Sequence, residues 1–280
     1  MKLALLVALT MTAPAFGFDI QGHRGARGHL PENTLAGFVR ALELGATTLE
    51  LDVGVTRDGV VVVHHDRALN PDLARAPDGA WVAAPAPLIR DLRFEELQRY
   101  DVGRLRPGSP YARRFPHQQP LEGARIPRLS EVLALPARFN IETKVSPAAP
   151  NETLPPEPFA RALIAEVQKA GVAARTTIQS FDWRTLKVVE QEAPDIVTVY
   201  LTGREGEPEA VHAAGGRTWS PDFNTLTAQK LERARRLGLK VVPWTVNEPA
   251  DIARMLELRV DGIISDYPDR VRVAIERRPM

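Results

Sequence analysis

The residues able to do chemistry are crowded into Gln21 to Asp66. The stretch opens on His23-Arg24-Gly25, carries Glu50 and Asp52 inside an apolar run, and closes on His64-His65-Asp66. Four of the six histidines fall there. Buried acids and histidines are costly unless they are paired or bind a metal. Glu142 and Lys144, in IETK, repeat the two-residue spacing of Glu50 and Asp52. On a strand that spacing puts both members of a pair on one face. Three carboxylates, Glu50, Asp52 and Glu142, form a hard-oxygen set suited to one divalent cation, Mg²⁺ or Ca²⁺. Arg24 and Lys144 beside it would bind an anion, most simply a phosphate. His23 and His65, in reach of that phosphate, could exchange protons near neutral pH. The set reads as phosphodiester cleavage. The plainer alternative is that the acids are buried salt-bridge partners of Arg24 and Lys144, with both histidines structural.

Composition removes other chemistries. The 280 residues contain no cysteine, which excludes disulfides, thiolate metal sites and a cysteine nucleophile. A formal net charge of +1, with no Lys/Arg-rich block, gives no reason to invoke nucleic acid. Met1 to Phe18 has one lysine, a short apolar run and Ala13-Pro14-Ala15, the pattern of a secretory leader. The chain then divides into a leader over residues 1–17 and one domain over 18–280, in the periplasm or secreted. No later segment is apolar and long enough for stable membrane insertion. Oligomeric state is not readable.

These residues need elements to position them. A short strand, Asp19 to Gly22, leads into His23. A helix capped by Asn33 or Thr34 carries Leu35, Phe38, Val39 and Leu42 at helical spacing and stops at Gly45. Thr47 to Val53 is the second strand, parallel to the first. The tight turn Thr56 to Gly59 sends Val60 to Val63 back as an antiparallel hairpin, with His65 expected across from about Glu50. His64 should then point to the opposite face. Asn70 to Arg128 is rich in proline, with a single clear helix at about Phe94 to Tyr100, and reads as a small inserted subdomain over one barrel rim. Strand and helix then alternate to the end. Leaving out the hairpin return, eight parallel strands remain, the count of an α/β TIM (β/α)8 barrel. Catalytic groups in such barrels sit at the C-terminal strand ends. Those ends carry His23-Arg24, Glu50 and Asp52, Glu142 and Lys144, Gln179, Trp244 and Asn247, and Asp266. Gln179 and Trp244 are candidate substrate contacts, with Trp244 as an apolar wall.

HRGARGHLPENT, ELDVGVTRDGVVVVHHD, IETK, SFDW, WTVN and GIISDYP together resemble the ordered motifs of the glycerophosphodiester phosphodiesterase family. The resemblance spans about Gln21 to Pro268. It implies a TIM barrel with a subdomain inserted after the HD motif. It implies a divalent cation on Glu50, Asp52 and Glu142, His23 and His65 as the acid–base pair, and Arg24 and Lys144 on the phosphate. The implied reaction releases glycerol 3-phosphate and an alcohol from a small glycerophosphodiester. One departure concerns the substrate: relatives often continue Leu-x-Arg-Thr after the HD pair, and here the chain reads Leu69-Asn70-Pro71. Two other readings remain at this stage. One is phospholipase D-like or phosphoinositide-type cleavage of a lipid. The other is a non-catalytic phosphodiester-binding protein.

Overall fold

The computed structural model describes residues 18–277. The expected leader lies outside them. β1 (Asp19–His23), α1 (Leu35–Glu43) and β2 (Thr48–Val55) form the first βαβ unit, with His23 opposite Glu50 in a parallel ladder. Thr34 starts α1, its hydroxyl accepting from the Gly37 N–H at 3.1 Å. Gly45 ends it at φ +96°, a left-handed position that only glycine adopts at no steric cost. Phe38 and Ala41 bury the inner face of the helix against the strands.

β3 (Val61–Val63) returns antiparallel on β2, pairing Val53 with Val63. The register differs by one residue from expectation. Extended past the last pair, it sets His65 across from Leu51, not Glu50. The cause is local. The Thr56 N–H donates to Val60 O at 3.0 Å, and Gly59 turns at φ +79°. The loop therefore holds three residues and ends in a glycine bulge, not the two-residue turn centred on Arg57 and Asp58.

Between β3 and α4 (Leu129–Leu133) the chain carries a 3-10 turn at Ile89–Asp91 and two short α-helices, α2 (Phe94–Leu97) and α3 (Pro110–Arg114). The second was not expected. Its signal is a capping serine followed by proline: Ser109 Oγ accepts from the Ala112 N–H at 3.0 Å, and Pro110 takes the first helical position. This segment buries its own cluster, Leu69, Ala74, Val82, Ile89, Leu97, Val102 and Ile126, against Val62 of β3.

Then follow β4 (Arg138–Thr143), α5 (Pro156–Lys169), β5 (Thr176–Ser180), α6 (Trp183–Glu192), β6 (Val197–Thr202) and α7 (Pro208–Ala213). β7 (Thr218–Pro221), α8 (Ala228–Arg236), β8 (Lys240–Val241), α9 (Pro249–Leu258), β9 (Gly262–Ser265) and α10 (Pro268–Glu276) complete the chain. The parallel strands run β8-β7-β6-β5-β4-β2-β1-β9. β8 is only two residues long, and Pro243 just beyond it has no N–H to donate to a ladder. The chain beyond it still joins β9: Ile264 N–H donates to Pro243 O at 3.0 Å, and Val246 N–H to Ile264 O at 2.9 Å. These bonds close the ring, which is a TIM barrel.

Alternation does the sorting. Leu49, Leu51 and Ile141 face outward into the layer beneath the helices, packed with Phe38, Phe159 and Leu163. Their neighbours Glu50, Asp52 and Glu142 therefore face inward. Truncating a fully buried aromatic such as Phe159 to Ala should cost about 3–5 kcal/mol.

Candidate active site

β2 and β4 pair with Asp52 opposite Glu142, which brings the acids of two strands level. Glu50, Asp52 and Glu142 each turn a ligand oxygen to one locus, all within 4.8 Å of one another. All three are buried. Glu50 is held on both oxygens, by Gln179 Nε2 at 2.7 Å and the Arg24 N–H at 3.0 Å. Asp52 Oδ2 accepts from Asn33 Nδ2 at 3.0 Å. Lys144 Nζ reaches Glu142 Oε1 at 2.7 Å. It stands 3.5 Å from Asp52 Oδ1, which has no hydrogen-bond partner. A buried oxygen without a hydrogen bond, on one of three clustered carboxylates, is what a divalent cation would satisfy.

The electrostatics agree. Burial raises Glu50 well above the usual carboxylate range, and the charges on Asp52 and Glu142 add to it. Burial would raise Asp52 too, but Arg24, His65 and Lys144 overcome it and hold Asp52 well below. Burial and Asp52 raise Glu142, against the pull of Lys144. Three acids in one buried place cannot all ionise easily without added positive charge.

His23 sits at the end of β1. Its Nδ1 lies 2.7 Å from Asp266 Oδ1, and its Nε2 points toward Glu50 Oε2 at 3.9 Å. Burial, helped by Arg27, lowers the His23 pKa to about 4, so the ring is neutral at pH 7. Asp266, just past β9, also accepts from Arg27 Nε at 2.7 Å and Asn247 Nδ2 at 2.7 Å. Burial opposes its ionisation, yet Arg27 and His23 keep its carboxyl far below the ordinary range. Asp266 fixes the orientation of His23 in the manner of an acid behind a catalytic histidine. His65 lies across the cavity with Nδ1 2.7 Å from Asp66 Oδ1. Asn70 Nδ2 supports Asp66 at 2.6 Å. His64 is buried and turned away, its Nε2 3.2 Å from Ala68 O.

Arg24 takes φ +53° at the strand end, and its Nη1 donates to Glu32 at 2.8 Å. Its Nε is 3.2 Å from Asp52 but not aligned as a hydrogen bond. All the candidate residues except Asp52 line a single cavity of about 290 Å³. Gln179 reaches that cavity while its amide N–H is committed to Glu50. Trp244 commits its indole N–H to Ser220 O at 3.0 Å, leaving its ring edge-to-face with Phe181 at 5.4 Å. Phe181 is 46% exposed and extends the apolar wall.

Sequence reasoning missed Arg27 and Tyr111. Arg27 Nη1 donates to Tyr111 Oη at 3.0 Å, and Tyr111 Oη donates to Glu32. Arg27 could have been suspected as a second arginine in HRGAR, one turn beyond His23. Tyr111 lies 79 residues from Glu32 in a segment without periodicity, and no spacing rule reaches that far.

Buried acids, paired cations and two histidines at the C-terminal end of a TIM barrel define a site of the enzyme type. The model of the Glycerophosphoryl diester phosphodiesterase family matches residues 23–270. A glycerophosphodiester phosphodiesterase of Caldanaerobacter subterraneus is 32% identical, covering 88% of this chain and 93% of its own. One of Bacillus subtilis is 30% identical, covering 88% and 83%. A Silicibacter pomeroyi structure assigned as a glycerophosphoryl diester phosphodiesterase superposes with TM-score 0.86 at 38% identity, covering 94% of this chain and 95% of that one. The chain belongs to the glycerophosphoryl diester phosphodiesterase family and is thereby a phosphoric diester hydrolase.

Proposed function

We propose that this enzyme hydrolyses small glycerophosphodiesters to an alcohol and glycerol 3-phosphate, with one divalent cation, Ca²⁺ or Mg²⁺, and two histidines as acid and base. The observation that carries the reading is the buried Glu50, Asp52 and Glu142 cluster, with Asp52 Oδ1 left without a hydrogen bond, beside a cavity that Glu50, Glu142, His23 and His65 line. A phosphodiesterase from Oleispira antarctica was solved with the product sn-glycerol-3-phosphate, which supports the same product here.

The three carboxylates would hold the cation, which supplies Lewis-acid polarisation of the phosphoryl oxygens. Arg24 and Lys144 neutralise the phosphate and fix its orientation. His23 is neutral at pH 7, so it can accept a proton at Nε2 from an attacking water, or from a glycerol hydroxyl whose attack gives a cyclic phosphate that water then opens to glycerol 3-phosphate. His65 delivers a proton to the leaving alcohol oxygen. The Asp266 and Asp66 carboxylates fix each ring through Nδ1. Trp244 and Phe181 offer an apolar wall to the glycerol carbons. The leader-like residues 1–17 support a periplasmic or secreted location.

The test is release of glycerol 3-phosphate from glycerophosphocholine by metal-replete and chelator-treated enzyme. Turnover that chelation stops and added Mg²⁺ or Ca²⁺ restores is expected. Equal turnover with chelator removes the metal from the reading, and no release under any condition overturns the reaction.

A further inference from the structure

The cations lining the cavity differ in one respect. Arg24 faces Glu32 and Asp52, Arg27 faces Asp266 and Glu32, and Lys144 faces Glu142 and Asp52. Arg114, the last residue of α3, lines the same cavity at its rim. Among the described residues no carboxylate lies within 4.0 Å of it. Its guanidinium stands 5.6 Å from the ring centres of both Tyr111 and Phe115.

That segment is tied to the barrel. Tyr111 is bonded to Glu32 and Arg27, Gln118 Nε2 donates to Arg27 O at 2.7 Å, and the Gln119 N–H donates to His29 O at 2.8 Å. The helix bearing Arg114 therefore has a fixed place over the mouth, and the two aromatic rings limit where its side chain can go.

A cation that lines a cavity and has no carboxylate partner is free to meet an anion of the substrate. The scissile phosphate is already served by Arg24 and Lys144 in the reading above. Glycerol carries only hydroxyls, so a second negative charge can sit only on the alcohol arm. We propose that Arg114 is a specificity-determining residue that selects glycerophosphodiesters whose alcohol carries its own acidic group, such as a second phosphate. This inference rests on the proposed phosphodiesterase reaction. Guanidinium and phosphate meet through paired charge-assisted hydrogen bonds, which gives the contact both strength and direction.

Two substrates of one scaffold provide the test: glycerophosphoinositol and glycerophosphoinositol phosphate. The full-length metal-loaded enzyme is expected to show kcat/KM about tenfold higher on the phosphorylated one, the ratio for one net charge-assisted contact. Arg114→Gln, an exposed substitution, should lose that preference through KM and leave glycerophosphoinositol turnover unchanged. Arg114→Lys should recover part of it. Equal wild-type kcat/KM on the two substrates, or an equal loss on both in Arg114→Gln, overturns the selection while leaving the phosphodiesterase reading intact. Turnover of glycerophosphocholine with none on both inositol substrates overturns the selection alone, and no turnover on all three overturns the reaction as well.

Discussion

The two histidines stand in contrasting regions. His23 belongs to the floor of the cavity, where its partner Asp266 is fully buried and is also held by Arg27 and Asn247. His65 belongs to the rim, just past the hairpin return. Its partner Asp66 has a side chain 35% exposed and receives one further bond, from Asn70 at the start of the inserted segment. The floor is desolvated and fixed by several donors, and there a histidine is pushed to a pKa of about 4. The rim is wetter and depends on the insertion. The floor therefore holds its histidine more tightly than the rim does.

The largest effect expected is on turnover. His23→Ala and His65→Ala should each lower kcat by on the order of 10²–10⁴ while the far-UV circular dichroism is kept. Near-normal kcat in either variant removes that histidine from proton transfer. A smaller and more discriminating pair is Asp266→Asn against Asp66→Asn. The floor variant should lose about 10²-fold in kcat/KM, since it disturbs His23 and leaves Arg27 short of a buried charge. The rim variant should lose about tenfold or less, because water can replace part of the support. Equal losses would erase the distinction between floor and rim.

Stability should follow the same division. The unfolded His23 takes up its proton near pH 6.5, the folded one near 4. Between those values the unfolded chain binds more protons, so stability falls as pH falls. The loss should approach about 3 kcal/mol by pH 4. The raised Glu50 and Glu142 act with the opposite sign in this window, so the His23 share is the difference between urea unfolding of metal-free wild type and of His23→Asn from pH 7 to 4, with the wild type losing more. A wild-type slope unchanged by the substitution would place the titration elsewhere. The smallest effect belongs to Tyr111→Phe, which removes the hydroxyl shared by Arg27 and Glu32. KM should rise about threefold, with kcat within about twofold, the cost of one partly replaceable hydrogen bond. A kcat collapse would move Tyr111 into the chemistry itself.

Much of this was legible in the chain. Two-residue spacing placed Glu50 with Asp52 and Glu142 with Lys144, because alternation is fixed by strand geometry. The alternating elements gave the barrel, and the barrel rule assigned the strand ends. Three things escaped. The hairpin register slipped by one because Gly59 adds a bulge, and loop length alone cannot separate a two-residue turn from a three-residue one. The short helix α3 has too few turns for periodicity, and only Ser109-Pro110 announces it. Tyr111 and Arg114 reach the mouth by tertiary docking of a proline-rich segment, and nothing local records that contact. Asp266 was visible as a strand-end residue, but its hold on His23 joins positions 243 residues apart.

In the proposed reaction Glu50, Asp52 and Glu142 hold one divalent cation needed for turnover. Titration of metal-stripped enzyme with Mg²⁺ or Ca²⁺, following bound ion and glycerol 3-phosphate release together, tests it most directly. Activity should rise in step with binding and saturate at a single ion per chain, and Asp52→Asn should abolish both. Full activity in the stripped enzyme, or binding that Asp52→Asn leaves unchanged, would contradict it.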